Sequence, residues 1–547
     1  MKFQGFSNRI LKKMLLILLL TPWAMINCGG NGSAPVENIS SQGINTTLGN
    51  LTVGSVAKIP FGSGGTSAIT FQDLAGKEQF MLAFYSLSET VGNFNVMLDG
   101  SESLSDPGIH AHLIQENNMD AVNKSSDSPL EATSNFHEYL RKFESTLSNL
   151  PKPENTSLKS SMTQTTLREN FSVGDQVTLK VLSSLNSTDA YTTITAEIRY
   201  ITPHFVVYRD VQASNVLSDA DIQSLIDPFE ANVENEYATF GKISDIDQDG
   251  KLRIVFSPVL NGIGGTAGIV TGFFFAGDLY PNNFAASNGG EYIYCHVPDE
   301  NGTWGVAIPK VFYMSNTGPL CFPHELQHAI NFNMKVFNHN GSPDPGPFNE
   351  GQSHFAEDLY NNFQNVSQEN PSRVNLCFAS ELASFISGTS LGQRGCAYLF
   401  YRYLFEQADG GRFSSVANGK ELMHKIHDTD LTGFASIEDV TGVKITSIAS
   451  DFFIALYLSN TGLSNNSQYN FTGINLRSPQ ADNRGTILSG PHISEVNRFP
   501  ASSSVTAMSS DYLLLNGESL MQSGSTLKLS PDFTMIPGAT LIRIEDK

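Results

Sequence analysis

His324-Glu325-Leu326-Gln327-His328 is the densest group of chemistry-bearing residues in the chain. On a helix, residues four apart lie one turn apart on one face. Two imidazoles so placed can grip one Zn2+ through ring nitrogens about 2.0–2.1 Å from the metal. Glu325, next to the first of them, can then take a proton from the water that attacks the substrate. The apolar Ala329, Ile330 and Phe332 that follow favour a buried helix over a solvated one. Pro323 just before the motif is tolerated only near a helix start or at a kink. A hydrolytic zinc centre needs a third protein ligand and one open position. Glu350, in Phe348-Asn349-Glu350-Gly351, is the candidate. The run PDPGP at 343–347 reverses the chain, and a second helix from about Asn349 to Phe363 returns Glu350 beneath the first. A lone Glu early in a helix also suits the helix dipole, but the spacing and the Asn-Glu-Gly context favour a ligand. His354 lies one turn on, placed to hydrogen-bond a ligand or the transition state. Glu357 and Asp358 follow as residues that would orient an imidazole, with an ordinary polar helix face as the alternative.

A second acidic pattern is Asp245, Asp247 and Asp249 followed by Gly250, the first half of a Ca2+ loop. Position 12 of such a loop is Phe256 rather than Glu, so a partial Ca2+ site and a plain acidic turn both fit. Glu291-Tyr292-Ile293-Tyr294 has strand character and is the expected edge strand near the metal, able to pair with a substrate backbone. The Gly-rich run 262–268 lacks any phosphate-loop pattern and reads as a loop.

These residues sit in a chain of 547 residues with 33 Lys+Arg, 54 Asp+Glu and a net charge of −21. The length implies several domains. The acidic balance argues against nucleic acid as a partner, because phosphates would be repelled. Lys2, Arg9, Lys12 and Lys13 precede the apolar run Met14–Ile26, which is shorter than the roughly 18–20 residues that span a bilayer. This is the pattern of a secretory signal peptide. Cys28, directly after the run and before two glycines, resembles the lipid-carrying cysteine of bacterial lipoproteins, although Asn27 departs from the usual small residue. The expected consequence is an extracytoplasmic protein, anchored to a bacterial membrane through Cys28. Cys28 also explains the odd count of five cysteines; Cys295, Cys321, Cys377 and Cys396 remain, enough for up to two disulfides or for buried thiols.

The patterning divides the chain into a signal peptide (1–27), a flexible tether (28–50), a β-rich N-terminal region (51–205), an α+β catalytic domain (206–465) and a β-rich C-terminal module (466–547). Within the polar stretch 100–170, FHEYLRKFESTL at 136–147 has its apolar residues at helical spacing.

Two helices carrying HELQH and Asn-Glu-Gly resemble the gluzincin arrangement. Positions 329–334 (AINFNM) do not continue the motif as a metzincin would. Taken with SDIDQDGKLRIVFSPVLNG, GGTAGIVTGFFFAGDLYPNN, NGGEYIYCHVP, FNEGQSHFAEDLY and GCAYLFYRYLFEQADG, the motif is similar to the hyicolysin family of secreted bacterial zinc metallopeptidases. The similarity covers about 235–460 well and 172–234 loosely. It implies a zincin-like core, zinc held by His324, His328 and Glu350, Glu325 as catalytic base, and a protein or peptide substrate. Arg394 stands where the family pattern suggests Tyr-Gly, so Tyr398, Tyr401 and Tyr403 are weighed as oxyanion stabilisers against plain core packing. The competing expectation is a non-enzymatic surface lipoprotein, an adhesin or binding module on a degenerate peptidase scaffold.

Overall fold

The computed structural model describes residues 44–49, 51–63, 65–72, 74, 78–100, 129–153, 171–266, 268–360, 369–380, 382–478, 486–516, 525–532 and 534–546, with only the backbone of 129–134. The expected signal peptide and the lipidation site Cys28 lie outside these residues. The fold is mixed α+β, with three sheets among the described residues.

The sheet that carries the site runs in the order Gly272–Phe274, Tyr292–Cys295, Leu252–Phe256, Phe205–Asp210, Tyr191–Ile201, Gln176–Leu182. Its inner strands LRIVF, FVVYRD and YIYC are buried along their whole length. They read as continuous runs because helices and loops cover both faces. Phe205–Asp210 and Leu252–Phe256 pair in parallel. A parallel pair needs a long crossover, and the helix Asp219–Phe240 supplies it, opened by a capping box between Ser218 and Asp221.

The further helices of this half include Gly318–Phe332 with the HELQH motif, the return helix Gly346–Tyr360, the Tyr-rich helix Leu391–Asp409 and Ile445–Leu458. Among the described residues no single helix is long and apolar enough to cross a membrane. Disulfides tie Cys295 to Cys321 and Cys377 to Cys396. The first fastens the motif helix to the central sheet.

The other two sheets are built from both ends of the chain. One runs Ile44–Leu48, Ser67–Phe71, Thr526–Pro531, Asn93–Gly100, Ala501–Thr506; the other runs Ser494–Val496, Ser510–Asn516, Glu78–Ser86, Pro537–Asp546, Val56–Ile59. Their shared core contains Phe71, Phe80, Leu82, Phe84, Val96, Leu98, Leu513, Leu527 and Leu541. Three expected boundaries therefore change. The two β-rich ends are not separate modules, because Glu78–Ser86 is hydrogen-bonded between Ser510–Asn516 and Pro537–Asp546. The boundary at 205 cuts through the site-bearing sheet, which begins at Gln176. The tether ends before residue 50, since Ile44–Leu48 pairs with Ser67–Phe71.

Glu78–Ser86 is buried on both faces. Phe80, Leu82 and Phe84 enter the sandwich core, while Met81, Ala83 and Tyr85 belong to the core of the helical half. Period-two alternation thus explains why EQFMLAFYS shows no polar face.

Candidate metal centre

His324 and His328 project from one face of the motif helix, and Glu350 meets them from the return helix. His324 Nε2 lies 3.6 Å from Glu350 Oε2, and His328 Nε2 lies 3.6 Å from Glu350 Oε1. Ligands 2.0–2.1 Å from a tetrahedral metal are about 3.4 Å apart, so the separations fit one ion. The far side of each ring is held: His324 Nδ1 pairs with Glu357 Oε1 at 3.0 Å and His328 Nδ1 with Asn349 Oδ1 at 3.0 Å. Such bonds leave Nε2 for the metal. Among the described residues, His324 Nε2 and both Glu350 carboxylate oxygens make no hydrogen bond despite deep burial. Orphaned buried polar atoms converging on one point are what a metal would satisfy. His324, His328 and Glu350 thus form a group that can hold an ion.

Packing explains the close approach of these elements. A Cβ at Gly351 would stand 2.8 Å from the Ala397 Cβ, so the glycine after Glu350 seats the return helix on the Tyr-rich helix. From that helix Arg394 Nη1 reaches Glu350 Oε2 at 3.2 Å. Burial would raise the Glu350 carboxyl, but the Arg394 guanidinium and the imidazoles hold it well below the usual carboxylate range. Burial would lower His324, but Glu350 and Glu357 raise it to about 9. Burial, with Arg141 nearby, pushes His328 well below the ordinary value. Bringing a dication between these groups would replace the protons that the carboxylates now favour.

Glu325 is 1 % exposed and Glu350 0 %. Burial raises the Glu325 carboxyl to about 7, against the pull of His324 and Arg141. Its Oε2 accepts the Phe274 N–H at 2.8 Å, which fixes it beside the strand Gly272–Phe274. A Cβ at Gly272 would meet Cys321 Sγ at 2.4 Å and Glu325 Cγ at 3.2 Å, so only glycine allows this approach. Gly272–Phe274 is the sheet's edge strand, and the expected edge, 291–294, lies one strand inside it. The misplacement arose because GFF is too short to show a strand period.

His354 shares the Glu357 oxygen with His324, at 2.7 Å, and its ring lies 4.7 Å from the His324 ring. Burial, then Arg373, lowers it to about 3. Asp358 does not orient an imidazole ligand; it accepts from Tyr398, Asn370 and Arg402 and anchors the Tyr-rich helix. Tyr401 Oη accepts from Gln352 at 2.8 Å, and the Tyr403 hydroxyl donates to the Gln468 carbonyl at 2.7 Å. All three tyrosines are core residues.

The acidic turn is rearranged relative to expectation. Asp245 and Asp247 group with Glu291, whereas Asp249 turns to Arg253. Arg253 also contacts Asp247 at 2.5 Å, so a cation already sits beside the two carboxylates. Sequence reasoning missed Asn349, Arg394 and His137. The signal for Arg394 was its departure from the Tyr-Gly expected at that position.

The site therefore defines a class: a buried His-His-Glu group on two facing helices that could hold a metal ion, with a carboxylate held between it and a sheet edge. No protein-family model matches the chain, and no curated protein matches its sequence.

Proposed function

We propose that the protein is a zinc-dependent endopeptidase of extracytoplasmic proteins, built on a zincin-like core of the kind seen in hyicolysin-family enzymes and anchored to a membrane through a lipid on Cys28. The convergence of His324 Nε2, His328 Nε2 and the two Glu350 carboxylate oxygens beside Glu325 carries this reading. The two disulfides accord with an oxidising compartment. Zinc held there would polarise the scissile carbonyl and make water a nucleophile near neutral pH.

The chain's own residues do the rest. Glu325 takes the proton of the attacking water on the carboxylate oxygen not held by Phe274, and returns it to the leaving amine. A carboxyl poised near 7 suits both steps. The edge strand Gly272–Phe274 offers backbone groups to an extended peptide, giving affinity with little sequence demand. Asn349, Glu357 and Arg394 keep the ligands in register.

Replacing Glu325 with Gln should leave zinc content unchanged and lower kcat/KM on an unfolded protein substrate by about 10²–10⁴-fold. Full activity in that variant would refute the assignment. One zinc per chain with no cleavage under any condition would favour the binding-module reading.

A further inference from the structure

The helix Pro129–Leu147 lies over the metal centre, and the chemistry above makes no use of it. Its buried positions are 136, 137, 140, 141, 144 and 147, one stripe at helical spacing. The apolar part grips the edge-strand region: Phe136 meets Phe273 with ring centroids 5.6 Å apart, and Phe143 stacks on Phe275 at 5.5 Å. The other part is a polar row, His137, Arg141 and Glu144, each less than a tenth exposed. Burying such a row is costly unless something charged meets it.

What meets it is the metal centre. His137 Nδ1 lies 3.9 Å from Glu350 Oε1, near the separation of two ligands on one ion, and makes no hydrogen bond among the described residues. A His137 ring nitrogen also falls within 4.8 Å of ligand atoms of His324 and Glu325. Arg141 pairs with Glu144 at 2.8 Å beside them. With this helix in place, His324, Glu325, His328 and Glu350 are all buried.

We propose that this helix is a built-in inhibitor: His137 takes the fourth ligand position, the polar row covers Glu325, and the protein stays latent until the helix leaves. The inference rests on the zinc peptidase reading. A ligand tethered to its own site acts at an effective concentration on the order of mM, at the upper end of the usual range of KM values. On one side of the helix the chain returns to Asn93–Gly100, locked in the sandwich between Thr526–Pro531 and Ala501–Thr506. On the other it leaves through the partly exposed 151–153. A single cut there would free one end only.

The test uses the full chain, with Co2+ alone as the spectroscopic probe and a chelator to measure zinc affinity. Exchanging an imidazole for water changes the ligand field, so His137→Ala should alter the visible Co2+ bands. It should also weaken zinc binding at least about tenfold, no less than loss of an outer-shell partner, and raise peptide cleavage at least tenfold. Phe143→Ala loosens the docked helix without touching a ligand, and cleavage should rise there too. Adding Glu325→Gln to His137→Ala should silence the gain. Unchanged Co2+ bands and zinc affinity in His137→Ala, or a fall in cleavage, would overturn the inhibitor while leaving the metal centre standing. Failure of the wild-type chain to bind Co2+ would instead remove the metal reading itself. Should the Ala variant not fold, His137→Asn repeats the measurement with a side chain of similar size.

Discussion

The sandwich and the helical half, with its candidate metal centre, solve burial in opposite ways. The sandwich core is Phe, Leu, Ile and Val from two facing sheets, and its stability comes from apolar area removed from water. The helical half buries Glu350 with Arg394, Glu357 with Arg373, and Asp358 and Glu406 with Arg402. Buried ion pairs contribute little net stability, but removing one partner is costly. They fix geometry. The first region holds the chain together, and the second holds nitrogen and oxygen atoms where an ion needs them.

That contrast is easiest to break in the sandwich. Phe84 is fully buried in its core. Phe84→Ala should destabilise the protein by about 3–5 kcal/mol, read by urea unfolding, with zinc affinity per folded molecule unchanged. A matching loss of zinc affinity would mean that the two halves are not separable in this sense.

Glu357→Gln probes the other side. Gln keeps the shape but removes the charge that His324 and His354 share. Zinc affinity should fall about 10–100-fold, equivalent to about 1.4–2.7 kcal/mol. The sandwich should be untouched, so hydrogen exchange in Glu78–Ser86 should not change. Faster exchange there would show that the ion-pair network also supports the core.

The helical half should also be the source of pH sensitivity. Burial raises Asp278 to about 7, against the Tyr294 hydroxyl and the Asn288 N–H that hydrogen-bond it. Its folded value lies above its unfolded one, so its stabilisation is full below about pH 4 and is lost as pH rises through 7. The slope is at most about 1.4 kcal/mol per pH unit. Asp278→Asn keeps an acceptor for Tyr294 and should flatten that part of the profile in unfolding experiments at pH 5 and pH 8. An unchanged profile would assign the pH response to another group.

The two halves were also legible in the sequence to different depths. HELQH and Asn-Glu-Gly were readable because helix period and ligand chemistry constrain residue types at short spacing. The strands SAITF and NFNVML were readable by alternation. What no local pattern carries is which strands pair, so Asn93–Gly100 finding Thr526–Pro531 across the whole chain looked like two modules instead of one. The edge strand GFF is too short for a period. The helix at 136–147 was legible from its apolar spacing, but the burial of His137, Arg141 and Glu144 at i, i+4 and i+7 was not. Polar residues on the same stripe as Phe136, Leu140 and Leu147 were the signal available.

The smallest effect concerns how the halves are joined. Lys58 of the sandwich contacts Asp451 of the helix Ile445–Leu458 at 2.5 Å, but Lys58 is 44 % exposed. Tyr85, by contrast, is buried at the same junction, with its hydroxyl 2.7 Å from Ser450 and 2.9 Å from Thr540 and its ring 5.3 Å from Phe453. An exposed lysine gains modest Coulomb energy and loses rotamer freedom, and water and salt screen it. Asp451 also keeps Arg412 as a partner when Lys58 is gone. Lys58→Ala should therefore cost less than about 1 kcal/mol and vanish within error at 0.5 M salt. Tyr85→Phe leaves two buried hydroxyls to find new partners and should cost about 1–3 kcal/mol whatever the salt. If the lysine variant proved the more damaging, the junction would be electrostatic, and the sandwich would be a detachable module rather than a second wall of the same core.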